Sequence, residues 1–269
     1  MVESVVIGYA CEGAVRMRAW KRWVWLGLVL VGSVAGAVLG SWSNAVPEGA
    51  VLAEDVVSYC VGDAGSGEVQ LFAIAGRGSI ETGEACGERV LVCEASALED
   101  LERRGYIPAA KIVYSLDLAE IFPMKIQLGD VNGDGVCELA ICVYKTTKFH
   151  PIMAKRPFFF DLVDGNLIPI WLGSRLSRPF DDYVLRDMDE DGICEVVSTE
   201  WLEDGRRVVA VYDWRGFGFE LTAQSEAFDG TLSFEAGETA AAQVELTMLG
   251  GGETRRLTFL LVDGELIYE

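Results

Sequence analysis

Two segments of the chain are near-copies of each other, and they constrain the fold more than anything else in the sequence. Residues 128–141 read LGDVNGDGVCELAI and residues 185–198 read LRDMDEDGICEVVS. From Asp130 and Asp187 the shared pattern is D-x-[ND]-x-D-G-[VI]-C-E-[LV], repeated after 57 residues. Residues 61–74 (VGDAGSGEVQLFAI) form a third, degenerate copy that keeps Asp63 but lacks the second and third acidic positions. Each copy is a polar turn feeding an apolar segment. A unit of this length built from strands predicts a propeller-like array of small sheets.

The residues between the copies fit that reading. Segments 68–75, 89–93, 111–115, 138–144, 157–163, 195–201, 207–213 and 256–262 are rich in β-branched and aromatic residues. Turns such as Asp164-Gly165-Asn166 and Asp204-Gly205-Arg206 separate them. Such spacing predicts an all-β fold of short antiparallel sheets: a partial or small propeller, a sandwich or a barrel. One short helix is expected at about 97–104, with Ser96 and Glu99 as a capping box and Gly105 as its stop.

The loop spacing specifies a chemistry. Side chains at positions 1, 3 and 5 converge if the loop curls. Gly at position 6 permits the bend, position 7 offers its carbonyl, and an acid at position 9 closes the shell. The first loop supplies Asp130, Asn132, Asp134, the Val136 carbonyl and Glu138. The second supplies Asp187, Asp189, Asp191, the Ile193 carbonyl and Glu195. Hard oxygen donors in a flexible loop suit Ca²⁺ better than Mg²⁺ or a transition metal. An EF-hand is rejected, because position 12 is Ile141 or Ser198 and the flanks read as strands. The competing reading of such a loop is an acidic surface turn without an ion.

The segments GDVNGDGVCELAI and RDMDEDGICEVVS resemble FG-GAP/VCBS-type repeats, the calcium-loop repeats of integrin-α-like β-propellers. The resemblance covers about 120–214 and, weakly, 61–75. The chain is also similar to uncharacterised bacterial exported proteins with VCBS repeats. The resemblance implies blades with Ca²⁺ loops between neighbouring strands, and extracellular adhesion or ligand binding. Position 9 is Glu where Asp is usual. At 57 to 67 residues per unit, residues 45–269 hold three or four units, too few for a seven-bladed ring.

Charge and hydropathy set the compartment. Residues 23–40 (WVWLGLVLVGSVAGAVLG) carry no charge and follow Arg16, Arg18, Lys21 and Arg22. The segment reads as a transmembrane or signal helix, with the basic end cytoplasmic and the remainder outside. Both a retained anchor and a signal cleaved near Ser43-Asn44-Ala45 fit. Residues 1–44 are thus a cytoplasmic stub plus anchor or signal, with Met17 an alternative start, and 45–269 form the extracytoplasmic domain. Without the four basic and two acidic residues of 1–44, that domain has 18 basic and 40 acidic residues, a net charge of −22. Acidity on this scale excludes broad nucleic-acid binding, and the single histidine excludes a multi-histidine zinc site.

One stretch runs against the acidity. Residues 145–178 hold Lys145, Lys148, Lys155, Arg156, Arg175 and Arg178 against Asp161 and Asp164, a net +4. They also contain His150 and the aromatics Phe149, Phe158, Phe159, Phe160 and Trp171. Such an island suits an anionic envelope polymer, an anionic lipid or an acidic protein. Alternatively its cations pair with the protein's own carboxylates and its aromatics fill the core. Cysteines 60, 86, 93, 137, 142 and 194 lie outside the membrane segment and suit either disulfides or buried thiols. The sequence contains no G-x-S-x-G, P-loop, H-E-x-x-H or C-x-x-C. These features point to a non-enzymatic, calcium-binding envelope protein. An envelope hydrolase with the repeats as scaffold and a purely structural module are the alternatives.

Overall fold

The computed structural model describes residues 46–173, 175–235 and 242–269. The chain folds into four antiparallel sheets of four strands, and within each the strands follow one another in sequence order. The first sheet is Val56–Gly62, Gln70–Ala75, Arg89–Glu94 and Ile112–Asp117. The second is Pro123–Gly129, Glu138–Thr147, His150–Val163 and Asn166–Leu172. The third is Phe180–Arg186, Glu195–Trp201, Arg207–Trp214 and Phe219–Gln224. The fourth is Thr231–Phe234, Gln243–Gly250, Glu253–Val262 and Glu265–Tyr268. The apolar segments read from the sequence are all strands. The opening strand of each sheet, and Asn166–Leu172, Phe219–Gln224, Gln243–Gly250 and Glu265–Tyr268, are absent from that reading, because sequences such as PMKIQLG and FDDYVLR mix polar residues into both faces.

Alternation along the strands explains the stacking. A strand sends successive side chains to opposite faces, so an apolar run buried on both sides must lie between two partners. Leu139, Ile141, Val143, Phe158 and Phe160 pack toward the first sheet, against Phe72, Ile74, Val90 and Val92. The intervening Ala140, Cys142 and Phe159 pack the other way, against Tyr183, Leu185, Val196 and Tyr212 of the third sheet. Val197, Val209 and Val211 then face Leu246, Leu257 and Phe259 of the fourth. The second and third sheets are therefore sandwiched, and their strands read as near-continuous hydrophobic runs.

The two ends of the stack are finished differently. The outer face of the first sheet is covered by the helix Ala97–Arg104, through Ala97 and Leu101, and by Val51 and Ile107. In the fourth sheet the buried positions Val244, Leu246 and Met248 alternate with Gln243, Glu245, Thr247 and Leu249 on the opposite, more exposed face. One end face is covered and the other is largely polar, so the described residues do not close into a ring. The helix stops at Gly105, whose φ of 76° lies in the left-handed region. The expected capping box does not form: Ser96 is itself helical, and its hydroxyl donates to Glu94 instead.

Opening strands of neighbouring sheets also touch, and side chains join them. The backbone N–H of Ile126 donates to Ser58 Oγ at 3.1 Å. Gln127, 1% exposed, uses its amide as a strand would: Nε2 donates to the Tyr183 carbonyl and Oε1 accepts from the Leu185 N–H, both at 3.2 Å. Two tight hairpins share the sequence LVDG-x-L, at 162–167 and 261–266. Both turn at Asp-Gly with positive φ, 49° and 74° in one, 51° and 80° in the other, the geometry of primed hairpin turns. The six cysteines of the described residues are free thiols, four of them buried. Among the described residues no helix is long and apolar enough to cross a membrane, and the expected segment at 23–40 lies outside them.

Candidate metal centre

The two complete loops join the first and second strands of the second and third sheets, and the degenerate copy occupies the same place in the first. An apolar residue at position 2 pins each loop to the core. Ala64 enters the cluster between the first and second sheets, Val131 that between the second and third, and Met188 that between the third and fourth. The loops then lie against one another. A Cβ on Gly133 would meet Ile193 Cδ1 at 2.7 Å, and one on Gly65 would meet Val136 Cγ1 at 2.9 Å. The position-7 residue of each complete loop thus covers the glycine of the preceding loop.

Within the first loop, carboxylates shape the backbone. Asp130 accepts from the N–H groups of Gly133 and Gly135 at 2.7 and 2.8 Å. Asp134 accepts from Val136 at 2.9 Å. Glu138, fully buried, accepts from the Val131 N–H at 2.7 Å and from the Asn132 amide. The second loop repeats the plan. Asp187 accepts from Asp191 and Gly192 at 3.1 and 3.0 Å, Asp191 from Ile193 at 2.8 Å, and Glu195 from Met188 at 2.7 Å.

The expected ligands converge only in part. Asp130, Asp134 and Glu138 bring carboxylate oxygens within 4.8 Å of one another, and so do Asp187, Asp189 and Glu195. Asn132 turns its amide N–H toward Glu138, and Asp191 stands outside its cluster. Positions 1 and 9 are common to both groups, completed by position 5 in one and position 3 in the other. Among the described residues none of these carboxylates forms an ion pair with Lys or Arg. Burial pushes Glu138 up to about 7, against the Val131 N–H, and Asp130, Asp134 and Asp161 push the same way. Burial likewise pushes Glu195 up to about 8, with Asp189, Asp213 and Asp187 adding to it. Carboxylates gathered without a counter-charge are a cation-shaped arrangement, and the all-oxygen donor set fits a hard divalent ion.

Two acids escaped the sequence reading. Leu139 pairs with Phe160 and Val196 with Tyr212, which sets Asp161 beside Glu138 and Asp213 beside Glu195 on the adjacent strands. Asp161 is raised by burial and by Asp134. Asp213 and Asp189 line a cavity of about 330 Å³ between the third and fourth sheets, together with Asp263 and Thr222. The signal was present in the sequence: an acid ends the apolar run of the third strand in both sheets.

The basic island divides in two. Lys155 pairs with Glu84 at 2.6 Å, and Arg178 with Glu200 at 3.0 Å. Phe158, Phe159 and Phe160 are core. Lys145, Lys148, Arg156 and Arg175 have no carboxylate partner among the described residues. Lys145 and Lys148 lie 5.8 and 5.6 Å from the ring centroids of Phe158 and Phe149. Arg156 is 1% exposed and donates to the carbonyls of Lys145 and Ile152 and to His150 Nδ1 at 2.7 Å. A guanidinium only donates, so His150 carries its proton on Nε2. Burial, Arg156 and Arg175 hold the imidazole below its ordinary value.

No family model matches the chain, and no curated protein does. It is similar to a solved structure described as a Xanthomonas type IV secretion system related protein, with 12% identity and a TM-score of 0.29, over 78% of this chain and 92% of that one. A likeness this distant carries no functional argument.

Proposed function

We propose that the chain is a non-enzymatic, Ca²⁺-stabilised, propeller-like binding protein of the extracytoplasmic space. In this reading residues 23–40 tether it to the membrane or are removed as a signal. Its partner is an anionic envelope component or an acidic protein. The observation that carries the reading is the pair of buried carboxylates, Glu138 and Glu195, each gathered with two aspartates and, among the described residues, not ion-paired with Lys or Arg. Such an arrangement costs free energy unless a metal neutralises it. The FG-GAP/VCBS resemblance of the same loops supports Ca²⁺ as the ion, and four sequential four-stranded sheets joined through their opening strands support the propeller-like description. A binding role is preferred to hydrolysis because groups of three gathered carboxylates suit cation ligation. In addition, burial pushes the thiols of Cys93 and Cys142 up to about 12, which makes them poor nucleophiles.

Thermal unfolding in chelator and in excess Ca²⁺ tests this. At a hundredfold excess over the dissociation constant, each occupied site adds about 2.7 kcal/mol, or roughly 5–10 °C for a chain of this size. Asp130→Ala combined with Asp187→Ala should remove the shift. A midpoint indifferent to Ca²⁺ in the unaltered protein overturns the metal reading.

A further inference from the structure

The second sheet is longer than its neighbours. Strand Glu138–Thr147 is paired to the opening strand only as far as Val143, and strand His150–Val163 is paired to the outer strand only from Phe158 onward. Residues 145–156 therefore project from the sheet as a two-stranded ribbon. Its tip carries Phe149, 84% exposed, and Ile152, 61% exposed. Lys148 stands beside them, Lys145 lies behind, and the buried Arg156 and exposed Arg175 sit at the base, where burial and then Arg175 lower the ionisation of Arg156.

We propose that this ribbon docks onto the surface of an anionic phospholipid bilayer, with Phe149 and Ile152 entering the interface and Lys145, Lys148 and Arg175 meeting lipid phosphates. Charge complementarity selects this occupant. The domain carries −22, so an anionic surface repels most of it and accepts only the part where cations stand unpaired. The apolar tip separates lipid from a soluble anionic glycan, which offers nothing to an exposed phenylalanine and isoleucine. An aromatic ring and an aliphatic chain flanked by lysines suit the headgroup boundary. Docking by the ribbon also fixes an orientation. The metal loops lie at the other end of the same strands and so face away from the membrane.

The inference rests on the extracytoplasmic placement proposed above, and the test separates the two. Hydrogen exchange of the full chain is followed by mass spectrometry with phosphatidylglycerol vesicles and with phosphatidylcholine vesicles. The expected result is slower exchange across 145–152 on phosphatidylglycerol only, reversed by high salt, with the loop segment 130–137 unchanged. Phe149→Ser with Ile152→Ser should abolish the protection while leaving the thermal midpoint in place. Lys145→Glu with Lys148→Glu should weaken vesicle partitioning by at least roughly fivefold for each lysine. Equal exchange of the ribbon on both lipids, or protection by polyglutamate but not by phosphatidylglycerol, overturns the proposal. Flotation with phosphatidylcholine vesicles after an alkaline wash reads the tether independently of the ribbon.

Discussion

The backbone N–H of Cys194 donates to the carbonyl of Asp130 at 2.6 Å. The first residue of one acidic loop is thereby bonded to the eighth residue of the next, across the boundary between two sheets. Gly129 makes this approach possible. A Cβ there would meet Leu185 Cδ1 at 2.8 Å and Cys194 Sγ at 3.1 Å. Gly129→Val should destabilise the protein by about 1–3 kcal/mol, as overpacking does. Because it parts the two loops, it should also lower the Ca²⁺-induced thermal shift of both. A variant with full calcium response and a lowered midpoint would show the loops to be independent.

The buried glutamates predict an unusual pH dependence. The folded-state values of Glu138 and Glu195 lie at about 7 and about 8, above their ordinary 4.5. Their contribution to metal-free stability is complete below pH 4.5 and is lost as pH rises through 7 to 8. Calcium reverses the trend, since it binds the ionised form. In chelator the thermal midpoint should therefore be higher near pH 5.5 than near pH 8.5, and the gain on adding Ca²⁺ should grow over the same interval.

Glu138→Gln separates charge from shape. The amide oxygen keeps the acceptor for the Val131 N–H, but the charge is gone. The variant should be more stable than the parent at pH 8 in chelator and less stable in Ca²⁺. Paired melts in the two conditions should cross. If the variant is less stable in both, Glu138 acts through packing alone.

Position 4 of the second loop is strained. Glu190 has φ of 61°, where the first loop has Gly133 at 78°. A left-handed residue with a side chain costs about 1–2 kcal/mol, and glycine returns part of that as unfolded-state entropy. Glu190→Gly should raise stability by up to about 1 kcal/mol without altering the calcium response, as urea unfolding will read.

Gln127 predicts the opposite outcome. Gln127→Leu keeps its volume but orphans the buried Leu185 N–H, while the Tyr183 carbonyl keeps the Lys125 ammonium as its donor. The expected loss is about 1–3 kcal/mol, and Gln127→Glu should retain only the bond from the Leu185 N–H. A loss under about 1 kcal/mol would mean that water replaces the amide.

The sequence by itself determined the strands buried on both faces, the helix Ala97–Arg104 and the place of each acidic loop. These depend on local alternation, turn residues and fixed spacing, all of which survive in one dimension. It pointed to the carboxylates that gather in each loop, because positions 1, 3, 5 and 9 of one loop are close in sequence, though Asn132 and Asp191 do not join them. Asp161 and Asp213 were hidden, since pairing register alone brings them beside Glu138 and Glu195. The tertiary structure also decided which cations of the basic island are satisfied. Lys155 meets Glu84, 71 residues away, and Arg178 meets Glu200, while the ribbon carries Lys145 and Lys148 beyond the reach of any described carboxylate. Charge composition is additive along a chain, but pairing is a matter of distance, and distance is set only when the sheets stack.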